Sequence, residues 1–522
     1  MKSNLIRCWR IIFDLVYFLE DCTKEICERI GVPFANIDGP FNSTHELLNI
    51  VEQECLNCLP PMRIPLGREE YNKLFLNCAI NDTLPILDSI FEKSGTKEPK
   101  KLKQIIYAII DGFQRDVCGE GGEDRFYYVI TILVLKVIEI FSEHLGILCT
   151  RRLNSAEHEK NDVSTTTAHL RPDVLVHIDK MALLRGELKS SLNEFDHAAS
   201  ELHTKMKEWH SLVYGDIPFL LGFVVAGWKF QWFAMYPRMS VATLKPLGKF
   251  YNLTVVSDCI SIFLNSINVF RLLLNLRSKI PPPGHPRVFT TINTSSSAIY
   301  FAEDHVVKTI NTLQHMGPIE DLIALYEYLK DNPSPYLIQP YTIQSSRYIQ
   351  ETSEFAAGEK KRKLYELQIK LHPLGAQIIP PDLVSLKRAV ISVLRGLQHL
   401  HAAGWVHRDV RWPNVLVKHP KEARDYMLID LEYSAKIIDG KAAGCSWYRD
   451  PDSMPADYSS QWSIYHDVWM VGHLVEDWEK HNNQQIMEES SSRHDFVKQA
   501  EEMTSDAKAM LQHPFITGKR SG

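Results

Sequence analysis

Residues 405–417 read "WVHRDVRWPNVLV". Apolar runs flank a polar centre built from His407, Arg408, Asp409, Arg411 and Asn414. Short apolar runs of this kind read as buried strands, which puts the polar residues on a loop held between them. A surface salt bridge would account for one His-Arg-Asp by itself. The Asn five residues after the Asp, the second Arg, and the stretches on either side ask for more.

Phosphoryl transfer needs an acceptor hydroxyl held in line, oxygen ligands for a divalent cation, and fixed positive charge for the phosphates. The loop supplies these types. Asp409 can orient a hydroxyl and take its proton, Arg411 can reach the transferring phosphate, and Asn414 offers a neutral oxygen suited to Mg²⁺. Downstream, "YMLIDLEYSAKI" ends an apolar strand at Asp430, a second oxygen ligand for Mg²⁺.

"HRDVRWPN" and "IDLE" resemble the catalytic loop and the metal-binding Asp-Phe-Gly segment of protein kinases. The resemblance continues in order over 288–516. "HVVKTI" is similar to the small-lobe strand whose Lys, here Lys308, holds the nucleotide phosphates. "HDVWMVGHLV" is similar to a large-lobe helix opening on a buried Asp, here Asp467, and "TSDAKAMLQHPFI" to the closing helix. The resemblance implies a two-lobed fold, ATP and Mg²⁺ as cofactors, and transfer to a Ser or Thr hydroxyl of a protein. Three departures stand out. "TINTSSSAIY" carries Ser295, Ser296 and Ser297 where the family has glycines, leaving serine N–H groups and hydroxyls for phosphate. Glu432 replaces the Gly that follows the metal-binding Asp, and "YRDPDSMPADY" occupies the place of Ala-Pro-Glu. The acidic partner of Lys308 is left between Glu320 and Glu327.

A second chemistry is written at 171–191, "RPDVLVHIDKMALLRGELKSS". Metal-assisted phosphodiester cleavage needs carboxylates around a divalent cation and a Lys near the attacking water. Asp173 opens one apolar strand. Glu187 and Lys189 stand two apart on the next, and the strand period turns both to one face. This arrangement resembles the PD-(D/E)xK nuclease superfamily, which implies Asp173 and Glu187 as metal ligands and Lys189 as a catalytic residue. Glu139 and Glu143, on the preceding helix, are candidates for an additional carboxylate. "KMKEWH" and "GWKFQWF" read equally as contacts to double-stranded DNA or as helix and sheet core.

The chain has 522 residues, 45% hydrophobic and 23% charged, with a net charge of −6. Length points to about three domains. The composition is globular, and the charge confines any nucleic-acid contact to a local patch. The ten Cys follow no repeating spacing, and Cys55–Cys58 lacks a second pair for zinc, which points to free thiols in a reducing compartment. Arg7, Arg10 and Asp14 interrupt the apolar opening, which suits an amphipathic helix better than a signal peptide. The expected setting is therefore intracellular, cytoplasm or nucleus, with no membrane partner.

The resulting expectation is a multidomain α+β chain. A helical region spans 1–115, a PD-(D/E)xK-like α/β domain 120–278, a Pro-rich linker 279–287, and a two-lobed protein kinase-like domain 288–520. Such a fusion resembles the Crinkler-type effector proteins of oomycetes and fungi, whose C-terminal regions join these domain types. Three function classes follow: a protein kinase with an accessory nuclease-like domain, a DNA-cleaving enzyme with a regulatory kinase domain, and a non-catalytic scaffold for nucleotide and DNA.

Overall fold

The computed structural model describes residues 24–38, 41, 43–66, 88–93, 129–153, 172–206, 209–238, 241–294, 297–310, 319–349, 364–419, 424–443, 461–482 and 490–518. The chain divides into two compact units between Pro281 and Pro282, inside the Pro-rich stretch.

The first unit is built on a six-stranded sheet. Its strands are β3 (Cys149–Leu153), β4 (Val174–Ile178), β5 (Met181–Lys189), β6 (Leu220–Ala226), β7 (Lys229–Arg238) and β8 (Val241–Asn252), lying side by side in chain order. A short parallel pair, β1 (Ile64–Leu66) with β2 (Phe91–Lys93), lies earlier in the chain. Neighbours in the large sheet run antiparallel except β5 and β6, which are parallel. A parallel pair requires a crossover, and the helix Phe195–Thr204 with the turn Ser211–Tyr214 supplies it. β4 and β6 are buried at every position. A strand buried on both faces reads as a continuous apolar run, as "DVLVHID" and "FLLGFVVAG" do.

A 22-residue helix, Val256–Arg277, closes the unit. Among the described residues it is the helix long and apolar enough to cross a membrane, yet 89% of its apolar window is buried inside the unit. One of its faces carries Asn265, Asn268, Arg271 and Asn275. These side chains donate to the main-chain carbonyls of Leu56, Val32 and Phe34 at 2.7 to 3.0 Å. Asn275 also accepts from the Phe34 amide. Buried polar groups are tolerated when paired in this way. The described part of the N-terminal region is thereby packed into the first unit and does not form a separate body. The "LIRCWRIIFDLVYFLE" segment and the "CGEGGED" spacer lie outside the described residues.

The second unit begins with a five-stranded antiparallel sheet in the order β12-β13-β11-β10-β9. Its strands are β9 (Thr290–Asn293), β10 (Ser297–Phe301), β11 (Val306–Ile310), β12 (Gln339–Ile349) and β13 (Leu364–His372). A helix, Ile319–Asp331, lies between β11 and β12. A helical part follows, centred on Leu383–Ala402 and Ile464–Asn482. Asp382 starts the first of these by accepting the Ser385 amide at 2.8 Å, satisfying a helix-end donor. Two short antiparallel pairs frame the polar loop. These are Trp405–Val406 with Ala435–Lys436, and Val415–His419 with Arg424–Leu428.

Candidate active site

The loop of 405–417 is held from beneath by one carboxylate. Asp467 is fully buried near the start of its helix. It accepts the main-chain amides of His407 (2.8 Å) and Arg408 (2.9 Å), the indole of Trp462 (3.0 Å), and lies 2.9 Å from His401 Nε2. Burial opposes its charge, but the His401 hydrogen bond holds its pKa below the ordinary value. Arg408 takes φ +68°, a left-handed backbone that costs strain and is paid for by these bonds. Its guanidinium donates to the carbonyls of Tyr433 and Ala443.

Asp409 and Asn414 form one device. Asn414 Nδ2 donates to Asp409 Oδ2 at 2.7 Å and to its carbonyl at 2.8 Å, and both residues are buried. That leaves the side-chain oxygen Oδ1 of Asn414 as the atom it can offer a cation. Arg411 is half-exposed, and its Nε lies 3.0 Å from Asp409 Oδ1.

Lys308, on β11, reaches Asp430 Oδ1 at 2.5 Å and Glu432 Oε1 at 2.7 Å. Asp430 is left-handed, φ +69°, which turns the chain sharply after its strand. Burial by itself would depress the Lys308 ammonium, but Glu432 and Asp430 hold it above its ordinary range. Lys308 likewise holds Asp430 well below the usual carboxylate range against its burial. Burial, and then Asp430, push the Glu432 carboxyl above its ordinary range, while Lys308 acts against them. Glu432 Oε2 is buried with no hydrogen-bond partner.

Neither acid expected to partner Lys308 does so. Glu320 and Glu327 are exposed on the helix Ile319–Asp331, and Tyr326 of that helix faces inward, its hydroxyl 3.4 Å from Glu432 Oε1. A helical face cannot be assigned from acidic spacing alone, and the departure from Gly at 432 was the available signal. Ser297 donates its amide to Thr294 Oγ1 at 3.0 Å and its hydroxyl lies 3.0 Å from the same atom, closing the β9–β10 turn on itself. Ser295, Ser296 and the "YRDPDSMPADY" region lie outside the described residues.

In the first unit, the β4–β5 register pairs Val174 with Gly186 and so brings Asp173 level with Glu187. Asp173 Oδ2 accepts the Leu188 amide at 2.9 Å. Glu187 and Lys189 both meet the crossover helix and its end. Lys205 Nζ lies 2.7 Å from Glu187 Oε2, and Lys189 Nζ 3.0 Å from Glu201 Oε2. Burial, and then Asp173, push the Glu187 carboxyl up to about 9, with Lys205 acting against them. Glu187 Oε1 is buried without a partner. Glu201 and Lys205, not singled out from sequence, complete this cluster. Glu139 instead pairs with Lys136 and Arg151 at 3.7 and 3.6 Å, and Glu143 is exposed. Among the described residues no three His, Cys, Asp or Glu side chains converge as a ready metal cluster. Of the aromatic stretches, Trp209, Phe230, Trp232 and Phe233 are core, while Trp228 is exposed.

Residues 291–516 match the family model of the protein kinase domain. The second unit thus matches the protein kinase domain over this span. Crinkler effector protein 8 of Phytophthora infestans is 23% identical over 391 residues, which cover 74% of this chain and 58% of that protein. A serine/threonine-protein kinase of Saccharomyces cerevisiae is 28% identical over 105 residues, 17% of this chain and 16% of the kinase. A mitogen-activated protein kinase of Drosophila melanogaster is 32% identical over 92 residues, 16% of this chain and 23% of the kinase. The chain therefore spans little more than half the length of the Crinkler relative and smaller shares of the kinases.

Proposed function

We propose that the second unit transfers the γ-phosphate of ATP to a Ser or Thr hydroxyl of a protein. The observation that carries this reading is two devices on stretches that hydrogen-bond to each other: Lys308 on Asp430 at 2.5 Å and Asn414 on Asp409 at 2.7 Å, with the Ile429 amide donating to the Asn414 main-chain carbonyl at 2.9 Å. The donor set fits Mg²⁺, which takes one or two protein oxygens and completes its shell with water and phosphate oxygens. Asp430 and Asn414 Oδ1 would hold it, and Lys308 would bind the nucleotide phosphates. Bound Mg·ATP supplies the phosphoryl group and the charge neutralisation. Asp409 accepts a hydrogen bond from the acceptor hydroxyl, orients its oxygen, and takes its proton as the new P–O bond forms and the bond from the γ-phosphorus to the β–γ bridging oxygen breaks, releasing ADP. Arg411 adds a fixed charge that attracts the transferring phosphate.

A second activity is proposed for the first unit: divalent-metal-dependent cleavage of double-stranded DNA. The favouring observation is the convergence of Asp173, Glu187 and Lys189 at the ends of β4 and β5. The unpartnered oxygen of Glu187 and its raised pKa describe a carboxylate short of positive charge, which a metal ion would supply. Lys205 would give way to that ion. The proposed setting is inside a cell, in cytoplasm or nucleus, where thiols such as Cys55 and Cys58 stay reduced. The likeness to a Crinkler effector protein suggests an effector role.

One paired assay tests both. Wild type and the Lys308→Ala, Asp409→Ala and Glu187→Ala variants receive Mg²⁺, labelled ATP, a generic protein acceptor and plasmid DNA. Label transfer lost with Lys308→Ala or Asp409→Ala supports the kinase, and transfer that survives Asp409→Ala refutes it. DNA cutting lost only with Glu187→Ala supports the nuclease, and cutting that ignores this change rejects the site.

A further inference from the structure

Resting on the kinase reading, we propose that Glu432 is the positioning residue for Lys308, a role otherwise given to an acid on the helix after the lysine strand. The helix Ile319–Asp331 offers no acid to Lys308. Its Glu320 and Glu327 are exposed, and the inward position is held by the fully buried Tyr326. Glu432 is 2% exposed and lies 2.7 Å from Lys308.

Two carboxylates from one loop therefore hold one ammonium. Their fates differ once nucleotide binds. Asp430 is committed to the metal ion, while Glu432, two residues on, keeps its grip and aims Lys308 at the phosphates. Without Glu432 the lysine has Asp430 as its remaining partner, and the ligand needed by Mg²⁺ is tied up. The lysine anchor and the metal ligand travel together on one turn of chain. In kinases where the anchor sits on the helix, movement of that helix switches the pair off. Here neither member of the pair stands on that helix, which meets Glu432 through the Tyr326 hydroxyl at 3.4 Å.

The test uses the full chain and a fluorescent methylanthraniloyl-ATP as probe, titrated with Mg²⁺ present. Glu432→Gln keeps the shape and removes the charge. Losing a charge-assisted hydrogen bond predicts about tenfold weaker binding and a higher Mg²⁺ requirement. The Glu320→Ala/Glu327→Ala double variant binds as wild type. In a Lys308→Met background, Glu432→Gln costs no further affinity, because its partner is already gone. A general loss of structure would instead add its full cost there. Binding unaffected by Glu432→Gln, loss confined to the helix double variant, or an additive cost in the Lys308→Met background each overturns the proposal. Should Glu432→Gln fail to fold, Glu432→Asp is read in the same cycle, where its cost likewise vanishes with Lys308→Met. A wild type that binds no probe refutes the kinase reading itself, and the inference with it.

Discussion

Under the proposed phosphoryl transfer, Asp409 and Asn414 would have little covalent chemistry to do. The Asn amide fixes the acid, whose proposed task is to meet a hydroxyl. Asp409→Ala should lower transfer on the order of 10²- to 10⁴-fold, as loss of a general base does. Mg·ATP binding, measured by fluorescence, should stay near wild type because Lys308 and Asp430 are untouched. Glu187 makes the opposite case, a carboxylate whose charge the fold resists. A folded-state pKa raised to about 9 means that its stabilising contribution is full below the ordinary carboxylate pKa. That contribution shrinks as pH rises toward the folded value. Glu187→Gln cannot ionise, so its melting temperature should gain on wild type between about pH 5 and about pH 8. A gap that stays flat across that range would show Glu187 already ionised on Lys205.

Elements of structure set these residues in place through a few positions. Asp467 joins the helix Ile464–Asn482 to the 405–417 loop through two main-chain amides, an indole and His401. Asp467→Ala would leave those buried groups without their acceptor. The cost should be on the order of 3–5 kcal/mol, read from urea unfolding of the second unit. In the first unit, Gly186 sits under a ring. A Cβ there would fall 2.3 Å from Phe223 Cζ. Phe223 has little freedom to yield, packed with ring centroids 5.9 Å from both Phe230 and Trp232. Gly186→Ala should destabilise the β5–β6 pair by about 1–3 kcal/mol, measured by chemical denaturation of the first unit.

At the scale of the whole chain, two units with their own cores meet at a Pro-rich stretch. A ligand that binds one native unit raises the stability of that unit by mass action, about 2.7 kcal/mol at a hundredfold excess over Kd. Non-hydrolysable ATP with Mg²⁺ should therefore raise the melting of the second unit in calorimetry and leave the other unchanged. A shift of both transitions would mean that the units share a nucleotide-dependent equilibrium.

Local arrangement was legible in the sequence because it depends on spacing along the chain. His-Arg-Asp with Asn five residues on, the Asp ending an apolar strand, and Glu-x-Lys on a period-two strand each lie within a few residues. The sharp change at 279–287 was legible for the same reason, since Pro acts on its own backbone. The Lys308 partner was not, because a carboxylate 124 positions away and three acids of the right type compete for one contact. Nor were Glu201 and Lys205, which reach the Asp173 and Glu187 cluster only because the parallel β5–β6 pair folds their helix back over it. Asn265, Asn268, Arg271 and Asn275 look like interruptions in an apolar helix until the N-terminal segment supplies carbonyls for them. Which acids, cations and amides sit near one another in sequence is a property of the chain. Which charge neutralises which is decided by burial, because pairing becomes obligatory only once water has been removed.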